Sequence, residues 1–164
     1  MARIKKIEET PTTHQKEKKN KAHAYIVAIG RRKESIARVR LYPEIKEQVI
    51  FGSQEVEKGR IYINGKKIEE YFKSNSDQAM IKALFSLVKI NEKFTFTVKV
   101  SGGGMKGQLD AMVLAIAKAL QKQDTSLRSI LKKNGFLTRD ARVRQRRKVG
   151  MGGKSRRKKQ SPKR

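Results

Sequence analysis

The last 26 residues of the chain, RDARVRQRRKVGMGGKSRRKKQSPKR, carry 13 Lys or Arg against one acid, Asp140, and contain no aromatic residue. Such a segment has almost nothing to bury. Its only sizeable apolar side chains are Val143, Val149 and Met151. Self-repulsion predicts an extended, disordered state until a polyanion neutralises it. The stretch can therefore be no part of a core, and whatever folds must lie upstream of it.

The remaining charge is spread unevenly. Residues 1–24 hold seven cations and three acids, residues 25–138 hold 21 and 11, and residues 139–164 hold 13 and one; together these give the net +26 of the chain. Even the part able to fold is basic, so its long-range field attracts nucleic acid. We read three parts: a charged arm over residues 1–24, one folded domain over residues 25–138, and a basic tail over residues 139–164. A chain of 164 residues suits one domain with extensions. Membrane binding would need an amphipathic basic helix or a lipidation signal, and the tail has neither. No run of about 18 apolar residues offers a spanning helix. The start, MARIKKIEETPTTHQKEKKN, lacks the apolar stretch of a secretory signal. With no cysteine there is neither a disulfide framework nor a thiolate metal site.

Periodicity within residues 25–138 predicts an α+β domain, a mixed sheet with helices packed on it. YIVAIG (residues 25–30) reads as a strand covered on both faces, and Arg31, Arg32 and Lys33 separate it from a second strand, SIARVRLY (residues 35–42). There Ala37, Val39 and Leu41 face one way and Arg38 and Arg40 the other. Pro43 ends it, and the charged stretch to Gly59 reads as a loop. Ile61 to Ile63 forms a strand stopped by the turn dipeptide Asn64-Gly65. Residues 77–90 repeat apolar Ile81, Leu84, Phe85 and Val88 at helical spacing, with Ser76 as N-cap. Phe94, Phe96, Val98 and Val100 alternate along one strand face. A second helix, residues 108–121, carries Leu109, Met112, Val113, Ile116 and Leu120, and a third, residues 126–134, is closed by Gly135.

No active site emerges. Residues 102–107, GGGMKG, satisfy the G-x-G-x-x-G pattern after a strand and before a helix, with Asp124 at the distance of a ribose-binding acid. In a dinucleotide fold that acid ends a second parallel strand, whereas Asp124 here leads into another helix. The phosphate-loop template fails because Gln108 follows Gly107. A turn that shows backbone N–H groups to phosphate, and a purely structural turn, both remain open. His14 and His23 lie in the polar arm, and adjacent Glu69 and Glu70 diverge on any regular element. The arm's lysines are as well explained by solvation as by binding. The tail is not. Arg139, Arg142, Arg144, Arg146, Arg147 and Lys148, then Lys154, Arg156, Arg157, Lys158 and Lys159, are rich in guanidinium forks that grip phosphates bidentately. Without aromatics the tail cannot stack bases, so it should clamp backbones and tolerate sequence. Fully extended it reaches ~85 Å at about 3.3 Å per residue.

Five segments in order, GRRKESIARVRLYP (residues 30–43), NGKKIEEYF (64–72), VKVSGGGMKGQLDAMVLAIAKAL (98–120), LTRDARVRQRRK (137–148) and the terminal Lys163-Arg164, resemble the small-subunit ribosomal protein S-nine family. The resemblance covers most of residues 25–164. It implies a left-handed βαβ crossover, no cofactor and no homo-oligomer. It also implies a place in the head of the cytoplasmic small subunit, on the 3′ major domain of the rRNA and beside other head proteins. By position, Arg31, Arg32, Lys33, Arg38, Arg40, Gly102, Gly103, Gly104, Lys106 and the tail cations from Arg139 to Lys159 would contact rRNA. Lys163 and Arg164 would touch the anticodon stem-loop of peptidyl-site tRNA. The chain departs from the family in a longer, more acidic stretch over residues 45–58, in VGMGG (residues 149–153), and in its ending QSPKR. Two other classes compete with this reading. A general nucleic-acid condensing protein would also bind duplex DNA, and a nucleotide-dependent enzyme would bind ATP or NAD saturably.

Overall fold

The computed structural model describes residues 25–44, 49–51, 54–89 and 94–149. Among these residues, seven strands and four helices follow in the order β1 (Ile26–Arg32), β2 (Ser35–Tyr42), β3 (Val49–Phe51), β4 (Gln54–Val56), β5 (Ile61–Ile63), β6 (Lys66–Lys67), α1 (Ile68–Tyr71), α2 (Asn75–Val88), β7 (Thr95–Ser101), α3 (Met105–Gln123) and α4 (Leu127–Lys133). Five strands form one sheet in the order β1-β2-β7-β5-β6, and β3 pairs with β4 separately. β7 runs antiparallel to β2 but parallel to β5, so the chain between β5 and β7 crosses over, carrying β6, α1 and α2. The sheet is mixed and the class is α+β, as the periodicity predicts.

Register puts the apolar phase of every long strand on one face. Ala28, Val39, Val98 and Ile63 lie side by side across four strands, all buried. This face receives α3, which is buried nearly all round from Leu109 to Leu120, with Asp110 and Lys118 alone more open. The sequence predicts an amphipathic helix here; the structure instead places α3 in the middle of the core, with small Ala111, Ala115, Ala117 and Ala119 filling the positions between the large residues. Beside it α2 buries Ile81, Leu84 and Val88, and its Phe85 ring lies 5.6 Å from that of Phe96. Gly135, at φ 77°, closes α4 with a Schellman pair, Phe136 N–H to Leu131 O and Gly135 N–H to Lys132 O, both 3.0 Å. Asn64 and Gly65 both take positive φ in the two-residue β5–β6 turn, the geometry that favours Asn-Gly.

Four expectations need correction. β1 is covered on one face only: Val27 and Ile29 are exposed on the other. Arg31 and Arg32 belong to β1, and Lys33 and Glu34 alone make the turn to β2. α2 starts at Asn75 with Ser74 at the N-cap, and Ser76 lies inside its first turn. The stretch after Pro43 contains the β3–β4 hairpin, whose Val49 and Val56, with Phe51 alongside, bury Tyr42 and Tyr62 in a second small cluster. Strands of three residues are too short for alternation to reveal them.

The hairpin also explains why Thr95 and Thr97, on the polar phase of β7, are buried. The Thr95 hydroxyl accepts from Gly59 N–H at 3.0 Å, but Thr97 Oγ1 has no partner among the described residues. Replacing an unsatisfied buried hydroxyl by a methyl removes a desolvation cost of about 1–3 kcal/mol. Thr97→Val should therefore raise the midpoint of thermal unfolding; a fall of several degrees would show that the hydroxyl is satisfied.

Candidate nucleic-acid interface

The strand ends near the β1–β2 turn gather most of those predicted cationic residues that the structure describes. Ser101 stands beside Ile36 in register, and the chain then turns through Gly102 (φ 74°) and Gly103 (φ 60°) into α3. The turn is clamped on the β1–β2 loop. Ser35 Oγ donates to the Gly102 carbonyl at 3.2 Å, and Gln108 Nε2 donates to the same oxygen at 3.0 Å. A Cβ at Gly102 would stand 2.4 Å from the Glu34 carbonyl oxygen, in addition to the cost of its left-handed φ. Helix α3 therefore begins at Met105, earlier than its apolar pattern suggests. Its N-cap is Gly104, with no side-chain cap and no acid in the first turn. The amides at this positive pole face outward.

Residues 142–149 run past this end of the domain. A groove is lined on one side by Arg32, Lys33 and the glycine turn, and on the other by residues of this segment, including Arg144, Arg146 and Lys148. Lys33, Arg139, Arg144, Arg146 and Lys148 are exposed. Lys106 is exposed too, but it pairs with the buried Asp77 carboxylate of α2. Arg147 is half-buried.

A second cationic surface continues from the first along the outer sheet face. Arg31, Arg38 and Arg40 are exposed there, and Lys99 stands beside Arg38 in register. Arg40 lies over the Tyr25 ring, 5.0 Å from its centroid. Lys99 was not singled out from the sequence, although the alternation that buries Val98 and Val100 already turns it outward.

Arg32 is placed differently from its neighbours. Its side chain is 12% exposed. Nε lies 3.4 Å from Asp110 and Nη2 2.8 Å from Asp140, while Nη1 donates to the carbonyls of Arg142 at 2.7 Å and Asp140 at 3.5 Å. Asp140 in turn accepts from the Arg142 backbone N–H at 2.9 Å and from its guanidinium at 2.7–3.1 Å. These bonds to Arg142, with Arg32 nearby, hold the Asp140 carboxyl well below the usual carboxylate range. Lys154, Arg156, Arg157, Lys158, Lys159, Lys163 and Arg164 lie outside the described residues, as does the arm over residues 1–24.

The glycine motif does not belong to a dinucleotide fold. Asp124 is the C-cap of α3, and α4 follows it where a parallel strand would be required. Among the described residues, no group of three or more His, Cys, Asp or Glu could hold a metal, and no helix is long and apolar enough to cross a membrane.

Residues 30–164 match the ribosomal protein S9/S16 family. The chain is 39% identical over 136 residues to "Small ribosomal subunit protein uS9" of Rhodopirellula baltica, covering 83% of this chain and 90% of that protein. It is 41% identical over 124 residues to the protein of the same name from Lawsonia intracellularis, covering 76% and 85% respectively. The chain belongs to this family. It is thus a ribosomal protein of the small subunit, a structural constituent of the translation machinery and not an enzyme.

Proposed function

We propose that the chain binds small-subunit rRNA in the head of the subunit, through the strand-end groove, the outer sheet face and the tail, and that the tail ends at the peptidyl-site tRNA. What supports this most is the gathering of exposed cations around a groove in which they outnumber the acid that lines it, Glu34. Arg144, Arg146 and Lys148 stand across one groove from Lys33 and the uncapped start of α3, and Arg31, Arg38, Arg40 and Lys99 continue the same sign along the sheet. Phosphodiester oxygens match both features, since guanidinium forks and helix N-terminal amides each donate to them. Gly102, Gly103 and Gly104 would let an RNA backbone come close, and Lys106 would add its partly neutralised charge. The tail cations Lys154, Arg156, Arg157, Lys158 and Lys159 would extend the track, and Lys163 and Arg164 would reach the anticodon stem-loop. The reading includes neighbouring head proteins as partners, a cytoplasmic ribosome as location and the left-handed sense of the β5–β7 crossover.

The test separates attachment from tRNA contact. The full chain and a form lacking Lys163 and Arg164 should sediment equally with small subunits through a salt-containing sucrose gradient, while the shortened form retains less peptidyl-site tRNA. Equal loss of both properties would refute the division of labour, and a full chain that stays at the top of the gradient would refute the function.

A further inference from the structure

We propose that Arg32 is the anchor of the tail and not a phosphate ligand: with Asp140 and Asp110 it forms a latch that fixes where the cationic segment leaves the domain. The inference rests on the RNA-binding reading for its purpose, but its geometry is intramolecular. The guanidinium of Arg32 reaches two carboxylates and two tail carbonyls and is mostly screened from solvent. A phosphate seeking a bidentate grip would have to displace those partners. Exposed Arg31 and Lys33, one residue to either side, have no such engagement among the described residues.

Asp140 gives the latch its logic. It is the only acid among the 26 residues of the tail, where every other ionisable side chain is cationic. Electrostatics alone would exclude an acid from a segment built to meet RNA. Here the carboxylate does two structural jobs. It accepts from the N–H two residues ahead, which fixes the backbone between Asp140 and Arg142, and it bolts that segment to Arg32 on β1. Phe136 and Leu137, packed on the core just before, hold the segment from the other end. Residues 142–149, held at that end, line the groove beside the glycine turn. Arg142 spends its own guanidinium on Asp140, so it too is a positioning residue, and along the groove the phosphate-facing tail residues start with Arg144.

The consequence has an unusual sign. Asp140→Asn raises the net charge by one, which for a simple polycation strengthens RNA binding. If the carboxylate is a bolt, the substitution weakens it, because the freed segment must be ordered again on binding. The expected loss is about 5- to 30-fold, the cost of fixing one residue's backbone. The salt slope should not change, because no phosphate contact is removed. Arg144→Ala should instead reduce the slope by roughly 0.7–0.9, one contact's share. Arg32→Ala should behave like Asp140→Asn, and Arg32→Lys should not restore the latch, since an ammonium cannot reach both carboxylates and the carbonyls at once.

The test has two arms, both on the full chain. In the free protein, limited trypsin treatment followed by mass spectrometry should cut within residues 139–149 faster in Asp140→Asn than in the unaltered chain, with the midpoint of unfolding little changed. Unchanged cleavage in Asp140→Asn overturns the latch, whether or not Arg32→Ala folds. In the second arm, titration with a transcribed head-domain rRNA fragment at several salt concentrations should show weaker binding by Asp140→Asn at constant slope. Tighter binding by that variant, or a slope lowered by 0.7–0.9 in Arg32→Ala, would return Arg32 to the phosphate ligands. Absence of any salt-dependent binding by the unaltered chain would defeat the proposed function, and the first arm would still decide the latch.

Discussion

Raising monovalent salt from about 50 to 200 mM is expected to weaken binding of a head-domain rRNA fragment by roughly 10³- to 10⁵-fold, on the basis of 6–10 phosphate contacts. The described residues already supply a number in that range. Setting aside Arg32 and Arg142, whose guanidinium groups are engaged internally, and Lys106, which faces Asp77, the exposed cations of the groove, the outer sheet face and residues 139–149 are Arg31, Lys33, Arg38, Arg40, Lys99, Arg139, Arg144, Arg146 and Lys148. Each that meets a phosphate releases condensed counterions, and that entropy shrinks as bulk salt rises. Filter binding over a salt series measures it. A nearly flat response would mean that these side chains merely solubilise the surface. Tight binding of duplex DNA in competition would point to a general condensing protein.

Gly30→Val is expected to abolish folding at ordinary temperature, and Gly30→Ala to cost about 3–5 kcal/mol, at the upper end of single-residue effects. A Cβ at Gly30 would stand 2.0 Å from the carbonyl oxygen of Ala111 and 2.8 Å from the amide nitrogen of Ala115. Both are main-chain atoms of α3, so no rotamer change relieves the clash. The helix would have to lift off β1, opening contacts of a segment buried almost all round. Against a typical total stability of about 5–15 kcal/mol, few domains tolerate this. Gly104→Ala is the control. A Cβ there meets nothing within 4 Å and φ is −116°, so its unfolding midpoint in denaturant should barely move. A Gly30→Ala variant as stable as Gly104→Ala would mean that α3 does not sit against β1 as described.

Long elements were legible because their periods are. SIARVRLY alternates from Ser35 to Leu41, with Ala37, Val39 and Leu41 buried and Arg38 and Arg40 exposed; only Tyr42, under the β3–β4 hairpin, breaks the pattern. Asn64-Gly65 and Gly135 marked a hairpin turn and a helix end because few other residues accept positive φ. The β3–β4 hairpin was not legible. It is too short to show a period, and it exists to cover Tyr42 and Tyr62, which come together only when β2 and β5 flank β7. The open face of β1 was missed for the related reason that YIVAIG reads the same whether one side is covered or both.

The binding surface divides along the same line. Charge, its sign and its concentration in the tail are properties of composition, so the sequence alone determined the strongly positive field of the chain. It also determined the strand phase that turns Arg38, Arg40 and Lys99 outward. Only tertiary structure decided which cations are spent inside the protein. Arg31 and Arg32 are adjacent and chemically identical, yet one faces solvent and the other meets Asp110 and Asp140, 78 and 108 residues further along. Ion pairing depends on distances of a few ångströms, and packing, not sequence separation, sets those distances.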